Sequence, residues 1–321
     1  MKLPSILYGL FCLVACLPAL APGAAGGPWW LDLASHFQLP GCILLLLLGL
    51  GTMLGKRLLL GGLLMVCGTT CGYRLLPPFL GPALAGPSAV AQVVANQLKV
   101  SVVNVQYDNP DRASVLADIR KANPDVLVVV ELTPEWSEAL LPLKELQLPY
   151  FVEEAKAGPF GIGLYAKVPI RKAEVLETLG TAGTPAIRGV LETQHGEVGI
   201  LGVHLPPPIS REGTLRRDAG LAAIASAIAE LPHRRIVAGD FNATPWSRGF
   251  ARMLEQATLL DAGPGHGVQG TWPARMPALF RVPIDHVLVS PGFGVSRYAN
   301  SGSLGSDHLA RHATLLMPDA H

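Results

Sequence analysis

The sequence predicts an α/β domain of two mixed β-sheets packed face to face, with helices outside them, preceded by three transmembrane helices. Charge is the first observation: residues 1–96 carry five charged side chains, whereas the remainder carries 21 Lys and Arg against 23 Asp and Glu. The second is a change at Leu98, after which strand-like and helix-like segments alternate. Many of these strands lie too close together for helical crossovers, which favours two mixed sheets over one doubly wound parallel sheet.

Three apolar segments of the first part are long enough to cross a bilayer, which needs roughly 17 to 25 mostly apolar residues. They are residues 3–20, 39–55 and 58 to about 80. The first segment also has the basic start, apolar stretch and following small residues of a cleaved signal peptide. We favour a retained helix because two further spans follow it. Residues 1–80 are therefore predicted to be a transmembrane region.

Basic residues predict the orientation of these spans, because cytoplasmic loops carry an excess of Lys and Arg. Lys2 and the loop at Lys56 and Arg57 are expected in the cytoplasm. The loop around Trp29 and Trp30 is expected outside, with both rings as anchors at the membrane interface. Three crossings then place the C-terminal domain outside the membrane.

A stretch rich in Pro, Gly and Ala, residues 81–97, separates the two parts and reads as a tether. Residues 98–321 form the predicted soluble domain. All five cysteines precede the tether, so a thiolate site in that domain is excluded.

Hydrophobic periodicity and caps define the elements of the soluble domain. Helices are predicted over 111–123, capped by Asp111, over 133–146, capped by Thr133, and over about 214–231. Apolar runs bounded by turn residues predict strands at 98–106, 124–132, 161–167, 188–193, 197–205, 234–241 and 284–290.

Polar side chains interrupt the apolar runs at or near their ends. In the stretch GDFN, strand alternation points Asp240 and Asn242 the same way and turns Phe241 toward the core. Each interruption alone has an ordinary explanation as a turn, a strand end or a hydrogen-bonded core histidine. Together they indicate a site, because buried carboxylates are costly unless paired or bound to a cation. The interrupting residues are Asn104, Glu131, His204, Asp240, Asn242, Asp285, Asp307 and His308.

The motifs NVQ, VVVEL, GVHL, GDFN, TWP, IDHVLVS and SDH, in this order, resemble the endonuclease/exonuclease/phosphatase superfamily. The resemblance covers about residues 98–316 and implies a four-layered α/β sandwich with metal-dependent phosphoesterase activity. The layout also resembles that of membrane-anchored bacterial members, which implies a multi-pass protein of the cytoplasmic membrane with its catalytic domain on the outer side.

The resemblance also implies roles for the interrupting residues. Glu131 corresponds to a metal-binding carboxylate, with Asn104 and Asp307 as its neighbours at the ion. Asp240 corresponds to the group that orients or deprotonates the attacking water, and Asn242 to the amide that bonds the phosphate. The implied histidines are His308, held by Asp285, and His204, a second active-site histidine.

Carboxylate and amide oxygens are hard ligands, so the predicted cofactor is Mg²⁺ or Mn²⁺ rather than zinc, with one or two ions left open. Alternation turns His286 away from Asp285, which places His286 outside the site. Tyr165 is also left out, because its register in the strand 161–167 is open.

Substrate identity follows only from charge and location. The soluble domain is close to neutral, and its basic clusters, Arg216 with Arg217 and residues 233–235, are expected to be solvated flanks. A nuclease is expected to have a basic surface, whereas a membrane anchor favours a lipid head group or lipid-linked phosphate. The alternatives are an anchored nuclease acting on extracellular DNA or RNA, and an inactive binding module, which the intact set of polar residues disfavours.

Overall fold

The computed structural model describes residues 3–17, 28–80, 96–267 and 269–317. The end of the first predicted span, residues 18–20, and most of the predicted tether lie outside the described residues.

The N-terminal part contains four described helices: α1 Leu3–Ala15, α2 Trp29–His36, α3 Gln38–Leu54 and α4 Leu58–Leu80. Helices α3 and α4 pack closely, and a side chain at Gly61 would collide with Met53 of α3. Small residues that let helix backbones approach in this way are typical of membrane helix pairs. Within the described residues, α4 is long and apolar enough to span a membrane, and α2 with α3, bent by 79°, pass the same test as a pair.

Helix α2 corrects the expectation of a plain loop around Trp29 and Trp30. It is a separate helix of eight residues, and its sharp bend to α3 falls at Phe37. Its inner face packs on the C-terminal domain, and Ser35 and His36 are buried there. Trp30, on the outer side, is 47% exposed.

The C-terminal domain contains twelve described strands and five described helices. The helices are α5 Arg112–Ala122, α6 Pro134–Ala139, α7 Leu141–Leu146, α8 Arg211–Ala227 and α9 Arg248–Ala257. The strands are β1 Gln97–Asn104, β2 Val126–Val130, β3 Tyr150–Glu154, β4 Ile162–Ala166, β5 Ile170–Leu176, β6 Ala186–Thr193, β7 Gly196–His204, β8 Arg235–Asp240, β9 Leu260–Asp261, β10 Asp285–Val289, β11 Gly294–Asn300 and β12 Arg311–Leu316.

The strands form two six-stranded mixed sheets. The first has the order β11-β12-β1-β2-β4-β3 and the second β5-β6-β7-β8-β10-β9. In each sheet one central pair is parallel, β1 with β2 and β7 with β8, while the other neighbours are antiparallel. The two sheets therefore share the same central arrangement, one parallel pair of strands with antiparallel strands on either side.

The apolar core lies between the sheets, where side chains such as Val128 and Leu164 of the first sheet meet Ile200 and Ile236 of the second. Helices cover both outer faces, with Trp136 of α6 buried on the first sheet and Phe250 of α9 on the second. The order helix, sheet, sheet, helix is the four-layered α/β sandwich expected from the sequence, and this prediction is confirmed.

The boundaries differ from the sequence expectation in several places. Strands β3, β5, β11 and β12 and helix α9 were not expected. The long helix α8 runs from Arg211 to Ala227 rather than over 214–231. Its earlier start follows from the Ser210 side chain, which caps the helix by accepting from the Gly213 amide. Arg217 is the clearest correction: it is 1% exposed, not a solvated flank, and its guanidinium bonds Asp32 and Asp218 at 2.8 and 2.7 Å.

Candidate active site

The candidate site lies where the central strands of both sheets end. Asn104 is the last residue of β1, and Glu131 directly follows β2. In the second sheet His204 ends β7 opposite Asp240, the last residue of β8, and Asp285 pairs with Asp240 from the neighbouring β10. Because parallel strands end at a common edge, residues more than a hundred positions apart in sequence come together here.

A cavity of about 310 Å³ opens at this edge. Six of the eight predicted site residues line it, and they are Glu131, His204, Asp240, Asn242, Asp307 and His308. Asn104 and Asp285 lie behind it, each 1% exposed, and bond to its lining residues. The structure thus brings all eight residues together, while their individual roles remain predictions.

Asp240 is at the centre of the site. Its Oδ1 accepts from the Asn242 amide at 2.9 Å, and its Oδ2 accepts from Asn104 Nδ2 at 3.3 Å. The Nε2 atoms of His204 and His308 lie 3.9 and 3.8 Å from Oδ2. Burial and repulsion from Asp285 raise the pKa of Asp240 to about 8. The Asp240 carboxyl group is therefore harder to ionise than that of a solvent-exposed aspartate.

His308 and Asp285 form a buried pair in which Nδ1 of the ring lies 2.8 Å from Oδ2 of the carboxylate. Burial opposes a charged ring, but the Asp285 carboxylate outweighs it and raises the pKa of His308 to about 10. Burial likewise opposes the Asp285 charge, and the His308 cation lowers the pKa of Asp285. The pair is therefore an imidazolium and a carboxylate at neutral pH, with Nε2 of the ring on the Asp240 side.

His204, in contrast, is neutral at neutral pH. Burial and the nearby His308 cation lower the pKa of His204 to about 4. Its ring lies against Phe160 with the centroids 5.8 Å apart. Of the two histidines close to Asp240, His308 is therefore cationic and His204 neutral.

Glu131 and Asp307 are the predicted metal-binding carboxylates. Glu131 has a left-handed backbone, with φ of 61°, which costs about 1–3 kcal/mol for a residue other than glycine and is typical of functional positions. Its oxygens accept from Asn104 Nδ2 at 3.1 Å and from the Tyr107 amide at 3.0 Å. Burial raises the pKa of Glu131, which these hydrogen bonds oppose, and the charge of Asp307 raises it further.

Asn104 has a different orientation from that of an oxygen ligand. Its amide nitrogen points at Glu131 and Asp240, and its oxygen accepts from the Gln106 amide at 2.9 Å. In this arrangement Asn104 bridges two carboxylates as a donor. Direct ligation by its oxygen would require the side-chain amide to turn over.

The site fits a hard divalent cation. Glu131, Asp240 and Asp307 direct carboxylates into one cavity, and a bound cation relieves repulsion among neighbouring carboxylates. Glu131 and Asp307 are two hard oxygen ligands of the kind magnesium uses, and no cysteine is among the described residues that line the cavity. Asp240, Asp285 and His308 also have ligand atoms within 4.8 Å of one another, although two of these residues already bond each other.

Several side chains around the site were not singled out from the sequence. Gln106 accepts from the Asp307 amide at 2.8 Å, and the Ser306 hydroxyl donates to the Asn104 carbonyl at 2.8 Å and accepts from the His308 amide at 3.0 Å. Trp272 donates its indole N–H to Asp307 at 3.1 Å. Gln106 and Ser306 stand inside the quoted motifs NVQ and SDH, so their position beside predicted residues was the available signal.

A second unexpected group comes from the N-terminal part. Leu33 and His36 of α2, and Phe37 after it, line the same cavity as the catalytic candidates. Nothing in the sequence pairs an apolar N-terminal helix with strand ends more than 90 residues away.

Two residues excluded from the site lie outside the cavity. Tyr165 is buried and donates to Glu153 at 2.5 Å. His286 packs between Phe241 and Phe250 and contacts the Ala243 carbonyl at 3.0 Å, on the opposite face from Asp285.

Asp285→Asn tests the His308 pair. A raised pKa keeps the ring charged below about 10, so its charge is lost as pH rises through that value. Loss of the carboxylate should lower the pKa of His308 and move the alkaline limb of kcat/KM down by at least about one pH unit, the usual effect of one close opposite charge. Histidine NMR titration and pH–rate profiles measure both changes.

Asp118→Asn is the matched control, because it removes the partner of His312, 3.0 Å away and outside the cavity. An unshifted alkaline limb in Asp285→Asn would contradict the charged-histidine assignment.

The sequence matches the model described as the Endonuclease/Exonuclease/phosphatase family over residues 102–308, more than half of the chain. The chain belongs to this family, whose members are metal-dependent hydrolases of phosphoester bonds. No curated protein matches the sequence.

Solved structures share the fold. An endonuclease/exonuclease/phosphatase from Beutenbergia cavernae DSM 12333 superposes with a TM-score of 0.56 at 18% identity, over 70% of this chain and 72% of its own. D. rerio TDP2 complexed with single-strand DNA product gives 0.56 at 18%, over 68% and 98%. Sphingomyelinase C from Streptomyces griseocarneus gives 0.53 at 18%, over 68% and 99%.

Proposed function

We propose that this protein is a membrane-anchored, Mg²⁺-dependent phosphoesterase that hydrolyses a lipid head group or lipid-linked phosphate outside the cytoplasmic membrane. The observation that carries the hydrolase assignment is the convergence of Glu131, Asp240, Asn242, Asp307 and His308 on one cavity. These groups supply what phosphate ester hydrolysis needs: a site for a cation, a group to position water, and donors for the charge that develops on oxygen.

Glu131 and Asp307 would hold the Mg²⁺ ion, which supplies Lewis-acid polarisation of the phosphate when bound. Asp240 would orient the water and accept its proton, and a cation held by Glu131 and Asp307 would keep its carboxylate ionised. The Asn242 amide nitrogen donates to the Leu205 carbonyl at 2.8 Å and retains a second hydrogen for a phosphate oxygen.

The two histidines have different roles in the proposed reaction. His308, cationic beside Asp285, stabilises negative charge on the phosphate as the water attacks. His204, neutral because its pKa is about 4, contributes a hydrogen bond without adding positive charge. Because only His308 is charged, the two rings can contact the same phosphate without repelling each other.

The first test is metal dependence of the full chain in nanodiscs. Chelation with EDTA should abolish hydrolysis, and Mg²⁺ or Mn²⁺ should restore it, because hard ligands surround the cavity. A phospholipid, a lipid pyrophosphate and single-stranded DNA and RNA are assayed in parallel. Full activity in EDTA would contradict the metal assignment; cleavage of nucleic acid alone would favour an anchored nuclease, and no cleavage of any substrate an inactive binding module.

The α2 contacts support the membrane location. Arg217 of the catalytic domain bonds Asp32 and His36, so the proposed orientation has to keep the segment before α3 on the same side as the catalytic domain. Two crossings, α3 and α4, satisfy this condition. The loop at Lys56 and Arg57 then lies on the opposite side, which the distribution of basic residues assigns to the cytoplasm.

Reporter fusions check this orientation. A reporter that is active only in the periplasm should be on when fused after His321, and one active only in the cytoplasm should be on when inserted between Lys56 and Arg57. The two reporters exchanged between these positions serve as controls. A cytoplasmic signal after His321 would overturn the three-span orientation.

A further inference from the structure

The cavity is lined by side chains of two chemical kinds. The catalytic candidates are polar, whereas apolar side chains reach the cavity from distant parts of the chain. We call Leu33 and Phe37, from the N-terminal part, together with Pro207, Pro208 and Ile209, which follow β7, the apolar wall. A phosphate among the catalytic residues would therefore have apolar surface next to it.

The N-terminal side of the wall is fixed in place by buried polar contacts. Arg217 donates to Asp32 at 2.8 Å, and its other terminal nitrogen lies 2.9 Å from His36 Nε2. The opposite ring nitrogen of His36 lies 2.9 Å from the Thr244 hydroxyl, and Trp246 donates to the Ser35 carbonyl at 2.8 Å. A buried guanidinium that loses its partners is strongly destabilising, so this contact is a built part of the fold.

Exposed apolar side chains of the C-terminal domain lie at the cavity and at the contact with α3. Ile209 is 67% exposed. Leu279 and Phe280, both exposed, lie in the 3₁₀ turn Ala278–Phe280, which packs against α3. Exposed apolar side chains at such places are typical of sites that meet lipid or an apolar ligand.

We propose that α2 is a specificity-determining part of the substrate site, in which Leu33 and Ile209 bind the apolar chain of an amphiphilic phosphoester. This inference rests on the proposed function and names the residues that select the substrate. A phosphate that enters with its chain along this wall stays close to the bilayer. A phosphoester without an apolar chain leaves the wall uncovered and loses that part of the binding free energy.

The experiment compares two reporter substrates that differ only in chain length, 4-nitrophenyl methyl phosphate and 4-nitrophenyl octyl phosphate. Both are assayed with Mg²⁺ on the same preparation of the full chain in nanodiscs. The intact protein should prefer the octyl ester in kcat/KM by at least about tenfold, since each fully buried methylene favours binding roughly fourfold. Because the preference is a ratio, partial loss of folded enzyme does not change it.

Leu33→Ser and Ile209→Ser should each lower the octyl preference by about threefold or more, mainly through the KM of the octyl ester. Leu31→Ser is the matched control, because Leu31 lies on the same helix and does not line the cavity. It should leave both esters unchanged. No octyl preference in the intact protein, or an unchanged preference in both variants, would overturn the proposal.

Binding separates this proposal from the proposed function. Isothermal titration calorimetry with octylphosphonate and methylphosphonate measures affinity and requires no turnover. If the intact protein binds the octyl compound more tightly and Leu33→Ser removes the difference, the apolar wall is established even if neither ester is hydrolysed. Equal affinity for both phosphonates would overturn the proposal that the apolar wall binds the substrate chain, whether or not the esters are cleaved.

Discussion

Asp240→Asn should leave the domain folded and lower turnover by roughly 100-fold or more, the scale of general-base loss. The substitution keeps the shape of the side chain and its ability to accept from the Asn242 amide at 2.9 Å. It removes the negative charge that, in the proposed function, orients and deprotonates the water. Steady-state kinetics at saturating Mg²⁺, with melting followed by circular dichroism, measure both properties.

Asp261→Asn is the control for this experiment. Asp261 is also mostly buried in the second sheet and lies near a histidine, with 3.7 Å between its carboxylate and His286, but it does not line the catalytic cavity. Its substitution should cost stability rather than turnover. Wild-type turnover in Asp240→Asn would show that Asp240 only shapes the turn after β8.

Phe241→Ala should have the opposite effect, with a loss of roughly 3 to 5 kcal/mol in the free energy of unfolding and normal turnover in the folded fraction. Phe241 is fully buried, and its ring meets Phe250 edge-on at 5.8 Å and His286 at 5.6 Å. Thermal melting should show a decrease in Tm of about 10 °C.

Phe160→Ala is the contrast, because Phe160 lines the cavity beside His204. It should alter KM or kcat more than Tm. If Phe241→Ala removed catalysis without lowering Tm, the assignment of alternate faces to Asp240 and Phe241 would be wrong.

The site could be predicted in outline because alternation along a strand predicts the face to which each side chain points. Asp240, Phe241 and Asn242 follow an apolar run, and the structure places the two polar residues at the cavity and the ring in the core. Polar residues that interrupt apolar runs also predicted His204 and Asp285 as site residues. What the sequence could not give is which nitrogen or oxygen faces which partner, as the Asn104 amide demonstrates.

The fold was predictable where an element is periodic and capped, and less so at sheet edges. Helix α5 begins after Asp111, as expected, with the carboxylate accepting from the Ser114 amide at 3.1 Å. Strand β5 has mostly exposed or half-buried residues, including Arg171, Lys172 and Glu174, so it lacks an apolar signal. Its register comes instead from pairing with β6, which is a long-range property.

Arg217 was the largest misjudgement about the surface, and the reason is physical. An arginine next to another arginine on a helix reads as solvated, because a buried guanidinium needs several partners that only the tertiary structure supplies. Asp218 is next to Arg217 in sequence, but the partners Asp32 and His36 come from α2, about 180 residues earlier in the chain.

The Arg217 contacts have a practical consequence for the enzyme without its N-terminal part. A chain shortened to residues 96–321 loses Asp32 and His36, so a guanidinium that is 1% exposed in the intact chain faces solvent. It also loses Leu33 and Phe37, and the cleft becomes open on one side. Long polar polymers fit an open cleft more easily than a walled one, so the shortened chain should accept a wider range of substrates than the intact enzyme does.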